Sequence, residues 1–482
     1  MHILAIDEGT TGVRAHVFDA SSALRGAAYQ ELTQSYPQPG WVEQDPEDVW
    51  QRTLAVCRRA LAEARLQPGD LSAIGICNQR STTLVWERAS GRPVYPAIVW
   101  HDTRTAARIP ELLAAGVFTN AMASATKLEW ILRNVPDGMR RAAAGELCFG
   151  TMDSWLLWKL TGGAAHATDS SNASCTTLYD AMQDVWDSGV LGVLQIPAAV
   201  LPAIRSSSEV YASTDPEVFG AAVPVAGIAG DQQAAMFGEM GIERGAVKIT
   251  YGTSAMADVN SGEFPVFSTR GAYPLILWSI GGQRAWCLEG TAITAGAAVQ
   301  WLRDGLGILE SLDECAPLAE SVPSSAGVWV VPAFQGLGTP HMDPNARAVI
   351  GGLSRATTRA HIVRAVLEGI AYRSREVLQT LLEDSGIEAP QRLRVDGGAA
   401  ANDFLLQSLA DIAGIAVERP QAVQASALGA AYLAGLAVGV WKSLDELRSA
   451  WRSGRVFEPR TSADERDTKF HAWQEKIAAA RS

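Results

Sequence analysis

The chain has 482 residues, more than a single hydrophobic core usually serves, which points to two or three domains. Apolar residues make up 48% and charged residues 19%, so a large core can be buried and a disordered chain is excluded. The formal charge of −12 repels nucleic acid phosphates and anionic membrane surfaces, and leaves a small molecule as the expected partner.

The six lysines (Lys127, Lys159, Lys248, Lys442, Lys469 and Lys476) never follow a glycine, so a GxxxxGKS/T phosphate loop is absent. The HRD and DFG stretches of protein kinases are absent as well. The cysteines, Cys57, Cys77, Cys148, Cys175, Cys287 and Cys315, lie far apart without a CxxC pair and read as buried thiols of a reducing compartment. Seven histidines form neither HxxxH nor HExxH, which argues against a dedicated transition-metal site.

At the N-terminus, residues 1–6 are too short and reach Asp7 too soon for a signal peptide, so a cytoplasmic protein is expected. Residues 3–6 predict a strand, 7–12 a turn and 13–18 a second strand. Asp45-Pro46-Glu47-Asp48 supplies an N-cap, a first-turn proline and early acids for a helix. Residues 71–76 predict a third strand that ends at Cys77-Asn78-Gln79-Arg80-Ser81, and the alternation with helices makes the class α/β. Trp100 closes the apolar run Ala97-Ile98-Val99; with 15 tryptophans in the chain, a core position competes with a place in a polyol pocket.

Asp231, in Ala229-Gly230-Asp231-Gln232, falls at a strand-to-helix junction. It reads either as an N-cap or as a carboxylate that takes the proton of an attacking hydroxyl. Residues 246–259 repeat the strand, Gly-Thr turn, strand pattern of the N-terminus, which suggests duplicated halves with a boundary near residue 240 and a cleft between them. Leu393-Arg394-Val395 then leads through Asp396-Gly397-Gly398 to a helical run near Asn402-Asp403, either a simple tight turn or an anion site at a helix start. Residues 422–441 carry no charge, but their Ala and Gly content predicts an interior helix rather than a membrane span. Without a P-loop lysine, a phosphoryl-transfer enzyme would rely on Mg²⁺, turn N–H groups and hydroxyls, which the two Gly-Thr hairpins offer.

These segments together resemble the FGGY family of carbohydrate kinases. The resemblance runs from residue 3 to about 441 and includes Asp7-Glu8-Gly9-Thr10-Thr11, Gly40-Trp41-Val42-Glu43-Gln44-Asp45-Pro46, Asn78-Gln79-Arg80, Phe149-Gly150-Thr151-Met152-Asp153-Ser154-Trp155 and Gly230-Asp231-Gln232-Gln233. Both family signatures are recognisable, one from Met122 through Lys127 to Asn134, the other from Ala348 through Gly352 and His361 to Glu368. The resemblance implies a two-domain actin/hexokinase-like (ribonuclease H-like) fold. Residues 1–240 would hold substrate and base, and residues 241–482 the nucleotide.

It also implies ATP and Mg²⁺, with Asp231 as general base and Asp7 and Asp231 at the metal. Thr10, Thr11, Arg14, Gly252 and Thr253 would meet the phosphates, and Gly296, Gln300, Gly398 and Asn402 the nucleotide. The acceptor contacts carried over are Arg80, Ser81, Trp100, Met122, Asp231 and Gln232. The implied reaction phosphorylates a terminal hydroxyl of a small polyol or sugar, glycerol being the nearest named acceptor. A four- or five-carbon polyol or ketose, such as erythritol or xylulose, is the alternative. Three positions depart from the family's glycerol-binding pattern: Ser81 stands where glutamate is usual, Met122 where many members have tyrosine, and Met256 where an aromatic is expected. A silent sugar or nucleotide sensor would have no chemical need for the intact set Asp7, Thr10, Thr253 and Asp231. Family members vary in assembly, which leaves a homodimer or homotetramer open.

Overall fold

The computed structural model describes residues 1–421 and 424–481. The chain forms two compact units, one of Met1–Met240, Ile276–Arg284 and Ala425–Trp451, the other of Gly241–Leu275, Ala285–Gln424 and Arg452–Ser482.

The sheet of the first unit consists of β1 (His2–Glu8), β2 (Gly12–Asp19), β3 (Leu24–Glu31), β4 (Leu71–Asn78), β5 (Ser208–Ser213) and β6 (Pro224–Gly230), in the spatial order β5-β6-β4-β1-β2-β3. The first three strands form an antiparallel meander, β1, β4 and β6 run parallel, and β5 closes the edge antiparallel. Leu4, Ile6, Ile74, Ile76 and Ile228 are fully buried, as expected of parallel strands covered on both faces.

Six strands of the second unit's sheet repeat this plan: β7 (Val247–Tyr251), β8 (Ala255–Gly262), β9 (Gln283–Ala292), β10 (Arg392–Asp396), β11 (Ala416–Arg419) and β12 (Arg455–Phe457). Here β7 pairs antiparallel with β8 and parallel with β10, β8 pairs antiparallel with β9, β10 runs parallel to β11, and β12 is the antiparallel edge. The duplication suggested by one repeated hairpin thus extends to the whole sheet.

The helices that matter for the site are α1 (Pro46–Ala64), α2 (Ser124–Asn134), α3 (Asp231–Gly238), α4 (Gly296–Asp304), α5 (Arg359–Ser385), α6 (Asp403–Ala413) and α7 (Ala425–Ala437). The start of α1 is as expected: the Asp45 carboxylate accepts from Glu47 N at 2.9 Å, with Pro46 in the first turn.

Two expected strand bounds need revision. β1 continues through Asp7 and Glu8, which pair with Arg14 and Val13, so the turn is only Gly9–Thr11. β4 runs two residues further than its apolar stretch, because Cys77 and Asn78 keep pairing with both neighbours. The compact units interleave along the chain, and α7 packs on β4, β6 and α3 of the first unit. The approach is close: a Cβ at Gly227 of β6 would stand 2.4 Å from Ala434 N, and one at Gly429 of α7 1.8 Å from Ala234 O. The uncharged stretch around α7 is therefore an interior helix; its opening residue, Ala422, lies outside the described residues. No described helix is long and apolar enough to cross a membrane.

Candidate active site

Three parallel strands of the first unit end in register: Glu8, Asn78 and Gly230 are neighbours across β1, β4 and β6. The carboxyl edge of adjacent parallel strands is where open α/β sheets bind ligands. Asp7, Arg80 and Asp231 all leave the sheet at this edge.

Asp231 opens α3, and the N-cap is Gly230, whose N–H donates to Ser171 Oγ at 3.0 Å. The N-cap reading of Asp231 therefore gives way to a first-turn position. Its carboxylate is about one-third exposed, accepts from Gln232 N at 2.8 Å and lies 3.3 Å from Arg80 Nε. Arg80 is mostly covered, with its side chain 13% exposed. Gln232, the next residue of α3, is half-buried.

The hairpin between β1 and β2 is pinned from outside. Gly9 N donates to Gly12 O at 3.0 Å, and the Thr10 carbonyl accepts from Gln34 Nε2 at 2.9 Å and Gln44 Nε2 at 2.8 Å. Among the described residues, the N–H groups of Thr10 and Thr11 donate to no protein acceptor. Uncommitted donors in a turn suit an anion. Beside them, Arg14 lies 3.9 Å from Asp7 Oδ2 and stacks on Tyr29 at 4.9 Å.

Glu8 is fully buried, and burial pushes its carboxyl well above the usual range. Gln79 Nε2 donates to both Glu8 Oε1 and Gln44 Oε1, each at 2.9 Å. These three residues knit the hairpin to the loop that carries Arg80. Sequence reasoning gave none of them a role, although Gln44 and Gln79 sit inside the quoted motifs.

Trp100 is half-buried and its indole N–H donates to Thr10 Oγ1 at 2.9 Å. This contact, and the bond from Trp100 N to Thr82 Oγ1 at 3.2 Å, take Trp100 out of the plain core. Ser81 is buried in the left-handed region at φ 62°, and its hydroxyl donates to Cys175 O at 3.0 Å. Met122 is 39% exposed. Lys127 of α2 was also overlooked. Its buried ammonium donates to the carbonyls of Trp100 (3.0 Å), Ala121 (2.9 Å) and Met122 (2.7 Å), while burial pulls its pKa down to about 7.

In the second unit the Gly252-Thr253 hairpin tip is exposed, Gly252 N bonds Ser254 O at 2.9 Å, and Thr253 N donates to no described protein acceptor. Gly296 at the start of α4 is packed against it: a Cβ there would meet Gly252 O at 2.5 Å. Gln300 is exposed on α4. β10 ends at Asp396; Gly397 (φ 87°) turns the chain against Tyr251 O, and Gly398 is exposed with open space around it. Asn402 caps α6, its carboxamide oxygen accepting from Leu405 N at 3.0 Å. Met256 in β8 accepts from Thr291 Oγ1 at 3.2 Å. The structure thus gathers Asp7, Thr10, Thr11, Arg14, Arg80, Ser81, Trp100, Asp231 and Gln232 in one unit, and Gly252, Thr253, Gly296, Gln300, Gly398 and Asn402 in the other.

No group of three metal-ligating side chains occurs among the described residues. The carboxylates of Asp7 and Asp231 suit Mg²⁺, which keeps most of its waters and takes phosphate oxygens besides one or two carboxylates.

Comparison with known proteins covers both halves of the chain. Residues 2–238 match the N-terminal domain of the FGGY family of carbohydrate kinases and residues 247–438 its C-terminal domain. The chain is 47% identical to a glycerol kinase of Deinococcus radiodurans, over 100% of this chain and 97% of that protein. It is 48% identical to one of Dechloromonas aromatica, over 98% and 96%. The crystal structure of Plasmodium falciparum glycerol kinase with ADP superposes with a TM-score of 0.92 at 32% identity, covering 99% of this chain and 98% of that one. On fold, strand plan and sequence alike, the chain belongs to the FGGY family of carbohydrate kinases.

Proposed function

We propose that this carbohydrate kinase transfers the terminal phosphoryl group of Mg-ATP to a terminal hydroxyl of glycerol. The observation that carries the reading is the Asp231 carboxylate, one-third exposed at the first turn of α3 and 3.3 Å from Arg80 Nε. Full-length identity of 47% to a glycerol kinase supports the choice of acceptor.

In this reading Arg80 and the Trp100 ring hold the acceptor, with Ser81, Met122 and Gln232 as the other contacts. Asp231 accepts the hydroxyl proton as the oxygen bonds phosphorus and the bond between phosphorus and the β,γ-bridging oxygen of ATP breaks. Thr10, Thr11 and Arg14 serve the phosphates from the first hairpin, Gly252 and Thr253 from the second. The nucleotide is assigned to Gly296, Gln300, Gly398 and Asn402. Mg²⁺, held through Asp7 and Asp231, neutralises charge on the phosphate oxygens when bound. The uncommitted N–H groups at both hairpin tips fit that assignment.

A second acceptor class is favoured by one observation. Ser81 turns its hydroxyl to Cys175 O and brings no carboxylate to the loop after Arg80. A carboxylate that takes hydroxyl protons makes charge-assisted bonds of roughly 1.5–3 kcal/mol each, so this pocket grips glycerol less and admits a four- or five-carbon polyol or ketose. An ADP-release assay over glycerol, erythritol and xylulose tests both readings. Glycerol is expected to give the highest kcat/KM; a higher value for a longer acceptor moves the assignment there. Silence across the panel overturns the kinase reading in favour of a sensor. The uncharged, small-molecule character of the acceptor leaves nucleic acid and membrane outside the proposal, and we place the enzyme in the cytoplasm.

A further inference from the structure

We infer that Trp100 is a positioning residue for the first phosphate hairpin: its indole N–H fixes the Thr10 hydroxyl as a hydrogen-bond donor to a phosphate oxygen. The inference rests on Thr10 having the phosphate role assigned above.

The direction of the bond follows from the chemistry of its two groups. An indole nitrogen donates and does not accept, so the 2.9 Å contact between Trp100 Nε1 and Thr10 Oγ1 runs one way. The threonine oxygen is the acceptor, and its own proton must point elsewhere. Among the described residues that proton has no protein acceptor. A lone threonine hydroxyl rotates freely and offers an anion its lone pairs as readily as its proton. With the indole on the oxygen, the donor orientation is preset before an anion arrives, which is how preorganised donors gain strength.

Both partners are held from other directions. The Thr10 carbonyl is fastened by Gln34 and Gln44 at 2.9 and 2.8 Å. The Trp100 backbone is fastened at both ends: its N–H donates to Thr82 Oγ1 at 3.2 Å, and its carbonyl accepts from the buried Lys127 ammonium at 3.0 Å. The ring also packs edge-on against His101 at 4.8 Å. The indole is thus a rigid strut, not an opportunistic contact, and one side chain links the acceptor wall to the phosphate hairpin.

Trp100→Phe keeps the ring and removes the N–H; Thr10→Val removes the hydroxyl at equal shape; Thr10→Ser restores it. Binding of the Mg²⁺ complex of a non-hydrolysable ATP analogue, measured by calorimetry, is expected to weaken about tenfold in Trp100→Phe and in Thr10→Val, roughly the worth of one net hydrogen bond. The double variant is expected to lose no more than Thr10→Val alone, because the two changes remove one shared device. In protein labelled with ¹⁵N-tryptophan, the indole signal missing from Trp100→Phe identifies Trp100. That signal is expected to shift in Thr10→Val and to return in Thr10→Ser. Additive losses, unchanged affinity in Trp100→Phe, or an indole signal indifferent to Thr10→Val each overturn the inference. None of these readouts uses an acceptor. Failure to phosphorylate glycerol therefore defeats the substrate assignment alone, whereas additive losses in an enzyme active on glycerol defeat the positioning role alone.

Discussion

Asp231→Asn is expected to lower kcat by about 10²–10⁴-fold while the fold is kept and the nucleotide still binds. The substitution keeps the shape and one oxygen, so the bond from Gln232 N to the side chain at 2.8 Å can persist. Removing the negative charge from the first turn of α3 forfeits about 0.3–1 kcal/mol of interaction with the helix dipole. The pair with Arg80 spans 3.3 Å with the carboxylate one-third exposed, so screening limits its worth to about 1 kcal/mol. The structural cost is therefore about 1–2 kcal/mol, a shift of a few degrees in Tm. The kinetic cost of a lost base is about 3–5 kcal/mol in the barrier, which is larger. ADP release coupled to NADH oxidation gives kcat, and calorimetry with an ATP analogue gives affinity. Asparagine keeps the shape of the side chain and an oxygen for the Gln232 N–H, so a purely structural Asp231 predicts nearly full turnover in the variant. Turnover within a few-fold of wild type would falsify the proton-acceptor role.

Ser81→Glu is expected to raise kcat/KM for glycerol relative to erythritol, at a stability cost of about 0.5–1.5 kcal/mol, because it breaks the bond to Cys175 O. An unchanged ratio of the two acceptors removes position 81 from specificity. Gly429→Ala should destabilise the first unit by about 1–3 kcal/mol despite alanine's better helix propensity, since the new Cβ would fall 1.8 Å from Ala234 O; a raised Tm contradicts the close packing of α7. His166, which bonds Phe149 O at 2.7 Å, has its pKa lowered by burial to about 4. Between the unfolded value near 6.5 and that folded value, the unfolded chain binds a proton that the native state does not, so stability falls as pH falls, by about 2 kcal/mol from pH 7 to pH 5. His166→Gln should flatten that limb in urea titrations by the same amount, and an unaltered pH dependence refutes the buried neutral imidazole.

The local parts of this protein were readable along the chain. Both Gly-Thr hairpins, the Asp45 cap of α1 and the strand-to-helix junction at Asp231 depend on neighbours within a few residues, where strand periodicity, turn chemistry and capping act. The family motifs likewise named most of the candidate site. Whether Asp231 was cap or acid was not readable, because a cap is defined by backbone angles, and these make Gly230 the cap. Nor was the setting of Trp100, for which a core position competed with a place in a pocket.

How distant residues come to share one hydrogen-bond system is a matter of long-range packing. Trp100 reaches Thr10 across 90 residues of chain, Gln79 reaches Glu8 across 71, and Lys127 reaches the Trp100 carbonyl across 27. Such contacts exist only once β1, β4 and β6 are in register and α2 has docked, and no local pattern encodes register between strands this far apart. The same holds for α7, whose small residues announce close packing but not the sheet it packs on. Residue types and short-range order therefore determined which groups are available for chemistry. Long-range strand register and helix docking decided which of them meet.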